Sequence, residues 1–264
     1  MISKAKSGHP GGSLSLIDIL VALFFTEIKM KPEDPLWEDR DRFILSKGHG
    51  VPALYSILAQ KGILKEEELW TLRQTNSRLQ GHPDRFLMPV MEASTGSLGQ
   101  GLSIAQGIAL ALKHQKKDAR VFCVMGDGET QEGQVWETAM SAPKYNLNNL
   151  IAFIDANNGQ IDGHVDQVMS IQPIKAKWEA FNWAVQEIDG HDYGQILEAL
   201  KKAKHEERRP SLIVAKTVKG KGISFMENNI GWHGVAPSAE ELGRALAELD
   251  LIGAAGLAAG GKNG

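Results

Sequence analysis

Two stretches with the same organisation, Arg120–Gly128 (RVFCVMGDG) and Leu150–Gly159 (LIAFIDANNG), decide the fold. Each begins with a continuous apolar run that lacks polar alternation, which is typical of a strand covered on both faces. The residues between them, 134–144, have the pattern of a helix. A strand, a helix and a strand in this order form the βαβ unit of a parallel sheet.

The same alternation continues outward from this unit. Towards the carboxyl end, strands are predicted over 183–188 and 211–217, with a helix over 193–205 between them. The remaining predicted helices cover 14–25, 51–60, 65–73, 99–114 and 237–251. Because strands and helices alternate, we predict an α/β fold: a doubly wound, mostly parallel sheet with helices on both faces. Residues 1–251 should form one domain, and the small residues of 252–264 a flexible tail.

Composition excludes several classes of protein. The 264 residues include 29 Lys and Arg against 32 Asp and Glu, a net charge of −3, which argues against a nucleic-acid-binding protein. The most apolar early run, Leu14–Phe25, is too short to cross a bilayer and contains Asp18, so no membrane span is expected. The single cysteine, Cys123, excludes a disulfide framework and favours a reducing compartment, the cytoplasm.

Polar residues follow the two central strands where each of them ends. Asp127 and Asn157 stand 30 positions apart, and the carboxyl ends of parallel strands meet at one edge, where ligands bind. One carboxylate and one amide oxygen suit Mg²⁺, and Gly128 lets the backbone approach an anion closely. Asp-Gly and Asn-Asn-Gly are each also typical of a plain turn. Together, at two strand ends, they favour a site for a metal and a diphosphate.

The pair formed by Gly126-Asp127-Gly128 and Asn157-Asn158 resembles the thiamine diphosphate motif, a GDG followed further along the chain by an NN-type pair. Other segments resemble the transketolase family, in the order of that family: Ser7–Gly12 (SGHPGG), Asp41–His49 (DRFILSKGH), Gly81–Pro83 (GHP), Thr95–Gly101 (TGSLGQG) and Gly126–Gly133 (GDGETQEG). The resemblance extends from Ser7 to His233. It is closer to transketolase than to deoxyxylulose-phosphate synthase, and it implies the PP-type domain of the thiamine diphosphate-binding fold.

The resemblance also implies roles for individual residues. The ligands of Mg²⁺, for which Ca²⁺ or Mn²⁺ could substitute, would be Asp127, Asn157 and the carbonyl of Gly159. The diphosphate of thiamine diphosphate would be held by the Gly128 amide, His49 and His233. The thiazolium or aminopyrimidine would be lined by Gly96, Leu98 and Ile161.

Histidines are the main candidates for catalysis. The resemblance implies that His9 and His82 face the reacting carbon, where an imidazole can exchange protons at neutral pH, and that His233 is a further catalytic residue. A histidine is more commonly a surface or capping residue, and the other four (His114, His164, His191 and His205) are given no role. Glu132 would link the cofactor sites across a subunit interface, although a glutamate there also suits the start of a helix.

The implied activity is that of transketolase, an enzyme of the pentose phosphate pathway that transfers a two-carbon glycolaldehyde unit from a ketose phosphate to an aldose phosphate. Transketolases are more than twice as long as this chain, which also begins close to the SGHPG segment. We therefore expect the N-terminal subunit of a split transketolase. A partner subunit would supply the pyrimidine-binding and C-terminal domains, with two copies of each chain in a heterotetramer. The chain alone should be inactive, because the glutamate that activates the aminopyrimidine lies in the partner.

Two alternatives remain open from the sequence. One is a related thiamine diphosphate enzyme for an unusual sugar or sulfosugar. The other is a non-catalytic module that binds the cofactor. The metal pair and the substrate-side histidines argue against the second alternative, since a module without catalysis has no physical need for them.

Overall fold

The computed structural model describes the backbone of residues 1–260 and the side chains of residues 1–254. The strands are β1 (Arg42–Leu45), β2 (Val121–Gly126), β3 (Leu150–Ala156), β4 (Gly159–Gln160), β5 (Gly163–His164), β6 (Ala184–Asp189) and β7 (Ser211–Lys216). The helices are α1 (Ile2–Ala5), α2 (Pro10–Ala22), α3 (Val51–Gln60), α4 (Gln100–His114), α5 (Gly133–Lys144), α6 (Val165–Val168), α7 (Ile174–Ala180), α8 (Tyr193–His205) and α9 (Ala239–Gly260).

Five parallel strands form the central sheet in the order β1-β2-β3-β7-β6, which confirms the predicted α/β architecture. Strand β3 lies in the middle, with β2 on one side and β7 on the other. In this register Asp155 lies between Gly126 of β2 and Ala215 of β7. The carboxyl ends of the three central strands therefore meet at one edge. A short antiparallel hairpin, β4–β5, follows β3 at that edge.

Each face of the sheet is covered by its own apolar core. Phe122 and Val124 of β2 point into a core with α2, α3 and α8, whereas Cys123 and Met125 point into a second core with α4, α5 and α7. Both faces of the sheet are buried, and this explains why the strand sequences are continuous apolar runs. Cys123 is fully buried, as a small apolar residue would be.

Helix α2 departs from the predicted face. The sequence pattern places Leu14, Ile17, Val21 and Phe24 on the buried side, but the first three of these are only half-buried, and Leu16, Ile19 and Leu20 are completely buried. Helix α2 packs against both α3 and α8, so its buried surface is wider than one stripe. By length and composition alone Pro10–Glu27 could cross a membrane, but 61% of this segment is buried, as in a core helix.

Some elements of the structure are not predicted by the sequence pattern. Strand β1, hairpin β4–β5 and helix α7 are too short to produce a clear periodic pattern. The last helix, α9, continues past residue 251, where its end was predicted, into the Ala-rich stretch expected to be flexible. Alanine has the highest helix propensity, so this stretch extends the helix. Residues 261–264 of the predicted tail lie outside the described residues.

Candidate active site

Four histidines from distant parts of the chain converge at the carboxyl edge of the sheet. The ring centroid of His9 lies 5.3 Å from that of His49, 5.5 Å from that of His233 and 6.2 Å from that of His82. The rings of His49 and His233 stack at 5.3 Å. The structure thus groups the same four histidines that the sequence analysis selected out of eight.

The loop before α4 passes directly against one of these rings. Gly96 has φ of 136°, and a Cβ at this position would lie 2.8 Å from the His82 ring, so only glycine fits. The other predicted cofactor-lining residues are more open. Leu98 is 36% exposed, and Ile161, in the turn of the β4–β5 hairpin, is 72% exposed. Glu132 is also exposed, at the residue that precedes α5.

The three predicted metal ligands lie next to one another at the ends of β2 and β3. The Asp127 carboxylate accepts hydrogen bonds from the Gly128 amide, at 2.7 Å, and from the Asn158 amide. Asn157 Oδ1 accepts from the Gly159 amide at 3.0 Å. Burial, together with the nearby charge of Asp155, raises the pKa of Asp127 to about 6. The Gly128 amide, predicted to hold diphosphate, is bonded here to Asp127.

Lys219, which the sequence analysis did not select, lies at the centre of this site. Its ammonium donates to the Gly159 carbonyl at 3.0 Å and lies 3.1 Å from His233 Nδ1. The residue is only 1% exposed, and within the described residues its ammonium forms no salt bridge. Burial, with the charge of Lys47 second, lowers the pKa of Lys219 to about 8. Its position just after β7 parallels that of Asp127 after β2, and this is the signal that could have identified it.

A buried ion pair links the segments that form the site. The Lys47 ammonium contacts the Asp155 carboxylate, and the two side chains are 1% and 0% exposed. Lys47 also donates to the Gly12 carbonyl at 2.9 Å. Asp155 accepts from Ser15 Oγ at 2.6 Å and from Thr217 Oγ1. The pair therefore joins the start of α2, the segment after β1 and the ends of β3 and β7.

The histidines are held in their neutral form. Burial is the main cause that lowers the pKa of His9 and of His233 to about 4. It also lowers the pKa values of His49 and His82. Arg73 adds to this effect at His9 and His82, and its guanidinium lies 3.4 Å from His9 Nδ1. A neutral imidazole has one donor and one acceptor nitrogen, so this cluster can both give and take hydrogen bonds at neutral pH.

A buried glutamate fixes the loop before α4 against the GDG turn. The Glu129 carboxylate accepts from the Gly99 amide at 2.9 Å, from the Gly126 amide at 3.0 Å and from Ser46 Oγ. The amide of Gly99, which precedes α4, therefore already donates its hydrogen bond within the protein. The contact joins the loops that carry Gly96 and Asp127, and so it sets the shape of this edge.

The site fits both an anion and a divalent cation. The donors of the metal set are a carboxylate, an amide oxygen and a backbone carbonyl, which are the hard oxygen ligands that Mg²⁺ takes. Among the described side chains, residues 1–254, no group of three or more His, Cys, Asp or Glu is arranged to hold a metal, and the proposed set contains a single carboxylate. Lys219, buried beside these oxygens, provides the positive charge that a diphosphate requires.

Comparison with known proteins assigns the family. Residues 1–251 match the family described as "Transketolase, thiamine diphosphate binding domain". The chain is 44% identical over 253 residues to SqwG, a 6-deoxy-6-sulfo-D-fructose transketolase subunit of Clostridium sp. (strain MSTE9), covering 96% of this chain and 92% of that protein. It is 41% identical over 249 residues to one of the subunits of the apulose-4-phosphate transketolase of Phocaeicola vulgatus, covering 94% and 88%.

Solved structures support the same assignment. The transketolase of Campylobacter jejuni superposes with a TM-score of 0.90 at 37% identity, and that of Leishmania mexicana with a TM-score of 0.90 at 33% identity. Each alignment covers 94% of this chain but only 40% and 39% of the respective solved chains. The chain therefore belongs to the transketolase family, as an N-terminal subunit that carries the thiamine diphosphate binding domain.

Proposed function

We propose that this transketolase-type subunit binds Mg²⁺ and the diphosphate group of thiamine diphosphate at the carboxyl edge of its sheet. The observation that carries the proposal is the buried Lys219 ammonium, which forms no salt bridge within the described residues, has the Gly159 carbonyl and His233 as its hydrogen-bond partners, and lies within the field of Asp127. An ammonium in this environment favours an anion, and a divalent cation reduces the repulsion between a diphosphate and Asp127.

The metal would be held by Asp127, Asn157 and the Gly159 carbonyl. The diphosphate would be held by His49, His233, Lys219 and the Gly128 amide. Gly96, Leu98 and Ile161 would line the aromatic rings of the cofactor, since two of these side chains are exposed beside the site. When bound, thiamine diphosphate supplies the nucleophilic carbon that breaks and makes the carbon–carbon bond.

The histidines of this chain would act on the sugar. His9 and His82 have lowered pKa values and are therefore neutral near pH 7, so each can donate a hydrogen bond to one substrate oxygen and accept one from another. His233, which lies 3.1 Å from the Lys219 ammonium, would connect the diphosphate side with the sugar side. The proposed reaction moves a two-carbon glycolaldehyde unit from a ketose phosphate to an aldose phosphate.

We further propose that a second chain completes the enzyme with the pyrimidine-binding and C-terminal domains, in a heterotetramer. The chain spans about two fifths of the solved transketolases, and relatives of similar length are described as subunits. Exposed Leu98, Ile161 and Glu132 are the residues that we expect the assembly to cover, with Glu132 between the two cofactor sites. A cytoplasmic location is supported by the free, buried thiol of Cys123.

The proposal is tested with the purified chain, the product of the neighbouring reading frame, and the mixture of the two. Each sample receives Mg²⁺, thiamine diphosphate, ribose 5-phosphate as acceptor and one donor. The donors are xylulose 5-phosphate and, because two relatives are named for them, 6-deoxy-6-sulfo-D-fructose and apulose 4-phosphate. We expect two-carbon transfer only in the mixture. Cofactor binding by the mixture without transfer from any donor would favour the non-catalytic module instead.

A further inference from the structure

His191, to which the sequence analysis gave no role, connects two segments of the candidate site. Its Nδ1 lies 2.7 Å from Asp18 Oδ2, on α2, and its Nε2 accepts a hydrogen bond from the Val218 amide at 2.9 Å. Asp18 is itself fixed from the other side, because Tyr193 donates its hydroxyl to Asp18 Oδ1 at 2.9 Å. The imidazole is 13% exposed and the Asp18 side chain 23% exposed, so the contact lies at the margin of the protein.

These two contacts define the state of the ring. A carboxylate can only accept a hydrogen bond, and a backbone amide can only donate one. His191 therefore carries its proton on Nδ1 and leaves Nε2 free as an acceptor. The Asp18 carboxylate selects this tautomer, in the way that carboxylates orient histidines in many active sites.

The local backbone brings His191 to this place. Gly190 follows the end of β6 and donates its amide to the Lys216 carbonyl, at the end of β7, at 2.8 Å. A Cβ at Gly190 would lie 2.4 Å from Thr217 Cγ2, so a side chain here would push the two strand ends apart. The next residue after this close approach is His191, which then lies against Val218.

Val218 directly precedes Lys219, whose ammonium lies in the site. The segment that holds Lys219 leaves the sheet after β7, and the last backbone hydrogen bond to β3 runs from the Thr217 amide to the Ala156 carbonyl at 3.2 Å. It is fixed by Thr217 Oγ1 on Asp155, by the Val218 amide on His191 and by the Gly220 amide on the Gly11 carbonyl at 3.1 Å. The Lys219 carbonyl accepts from the Asn228 amide at 2.9 Å, and His191 provides the side-chain contact nearest to Lys219 along the chain.

We propose that His191 is a positioning residue: held by Asp18, it fixes the Val218 amide and thereby directs the Lys219 ammonium towards the Gly159 carbonyl and the bound diphosphate. The last part of this statement rests on the proposed function. His191 lies outside the cluster of four histidines and acts only through the segment that carries Lys219.

Two variants separate the two hydrogen bonds of the ring. In H191Q the side-chain oxygen can take the place of Nε2 and accept from the Val218 amide, but the bond to Asp18 is lost. In H191N the side-chain nitrogen can take the place of Nδ1 and donate to Asp18, but the acceptor for Val218 is lost. Each variant loses one hydrogen bond. If His191 had a purely structural role, both variants would lose similar amounts of stability and of cofactor affinity.

The first measurement is amide hydrogen exchange at Val218 in the full chain, without cofactor. We expect exchange at this amide to be roughly tenfold faster in H191N and close to native in H191Q, because the hydrogen bond that the Val218 amide donates to residue 191 is lost only in H191N. Equal exchange rates in the two variants would overturn the proposal. This measurement decides the positioning role even if the chain binds no thiamine diphosphate, a result that contradicts only the proposed function.

The second measurement is the Kd of Mg²⁺–thiamine diphosphate in the two-chain assembly, by calorimetry. We expect H191N to raise the Kd about tenfold, the scale of effects seen when a residue that orients a ligand is removed. H191Q should restore native affinity. Equal losses of affinity in both variants, or no loss in H191N, would overturn the role of His191 in positioning Lys219. The melting temperatures of the two variants are the control for stability, and we expect them to fall equally.

Discussion

The ammonium nitrogen of Lys219 lies 3.0 Å from the carbonyl oxygen of Gly159. This oxygen is the backbone atom that the family resemblance assigns to the metal. An ammonium and a divalent cation repel each other, so both cannot remain at one carbonyl without an anion between them. We therefore expect the bound diphosphate to supply that anion, with the Lys219 ammonium against one of its oxygens.

The variant K219M should therefore weaken the affinity for Mg²⁺–thiamine diphosphate. Removing one partner from a buried, charged hydrogen bond costs about 2–5 kcal/mol, which corresponds to a Kd at least about 30-fold higher. Calorimetry on the two-chain assembly measures this Kd. The matched control is K221M, since the Lys221 side chain is 43% exposed and its ammonium lies 3.6 Å from the Glu227 carboxylate. Equal affinities for the K219M and K221M proteins would remove Lys219 from the diphosphate site.

The position of Asp127 in the site could be predicted from the sequence, whereas that of Lys219 could not. Asp127 and Asn157 end consecutive strands, β2 and β3, which are also neighbours in the sheet. Their juxtaposition could therefore be predicted from the βαβ pattern alone. Lys219 follows β7, which lies between β3 and β6 although it comes after both in the chain. The position of Lys219 just after β7 marks it as a residue of the carboxyl edge, but nothing local in the sequence indicates that β7 is inserted beside β3. Its place beside Gly159 therefore follows only from the sheet order.

The buried pair and the His191 contact were missed for a related reason. Lys47 and Asp155 are 108 residues apart, and Asp18 and His191 are 173 residues apart. A lysine or histidine with a distant partner looks in the sequence like any surface residue. The four clustered histidines were found because each lies in a segment that resembles the transketolase family, and not because their spacing predicts a cluster.

The variant D127A should abolish the Mg²⁺ dependence of cofactor binding. Asp127 is the only carboxylate among the three proposed metal ligands, and a hard divalent cation depends on such a charged oxygen. The measurement is the Kd of thiamine diphosphate at increasing Mg²⁺ concentration in the two-chain assembly, where native affinity should rise with Mg²⁺ and that of the variant should not. D166N provides the control, because the Asp166 side chain is exposed and its amide donates to Asn158 Oδ1 at 3.1 Å, next to the proposed ligands. A native Mg²⁺ response in D127A would contradict the metal assignment.

The variant H82A should reduce turnover much more than it reduces cofactor affinity. His82 packs against Gly96, has a lowered pKa and lies 6.2 Å from the His9 ring. Loss of a group that donates or accepts a proton in the reaction lowers kcat about 100-fold or more. Steady-state kinetics of the two-chain enzyme, with the Kd of thiamine diphosphate measured in parallel, separates the two effects. If H82A and the half-buried control H164A have the same kcat, His82 does not act on the substrate.

The variant K47M should be strongly destabilised. It leaves the Asp155 carboxylate completely buried without its ammonium partner, and breaking a buried pair in this way costs about 3–5 kcal/mol. The control is K202M, which breaks an exposed pair with Glu198 and should cost less than about 1 kcal/mol. Urea denaturation of the chain without cofactor gives the two free energies of unfolding. Similar values for K47M and K202M would show that the buried pair contributes little.

The stability of the chain without cofactor should fall as the pH is lowered from about 6.5 to 4, in part because of His9. Burial, with Arg73 second, lowers the pKa of His9 to about 4, whereas a histidine in an unfolded chain titrates near 6.5. Between these values the unfolded state binds the proton and the folded state does not, so the folded state is favoured less as the pH falls. H9N removes the group whose pKa differs between the two states. Its melting temperature should therefore fall less than that of the native chain between pH 6.5 and 4. H114N changes an exposed histidine at the end of α4, and should follow the native profile. A profile for H9N identical to that of H114N would mean that His9 is protonated as readily in the folded chain as in the unfolded one.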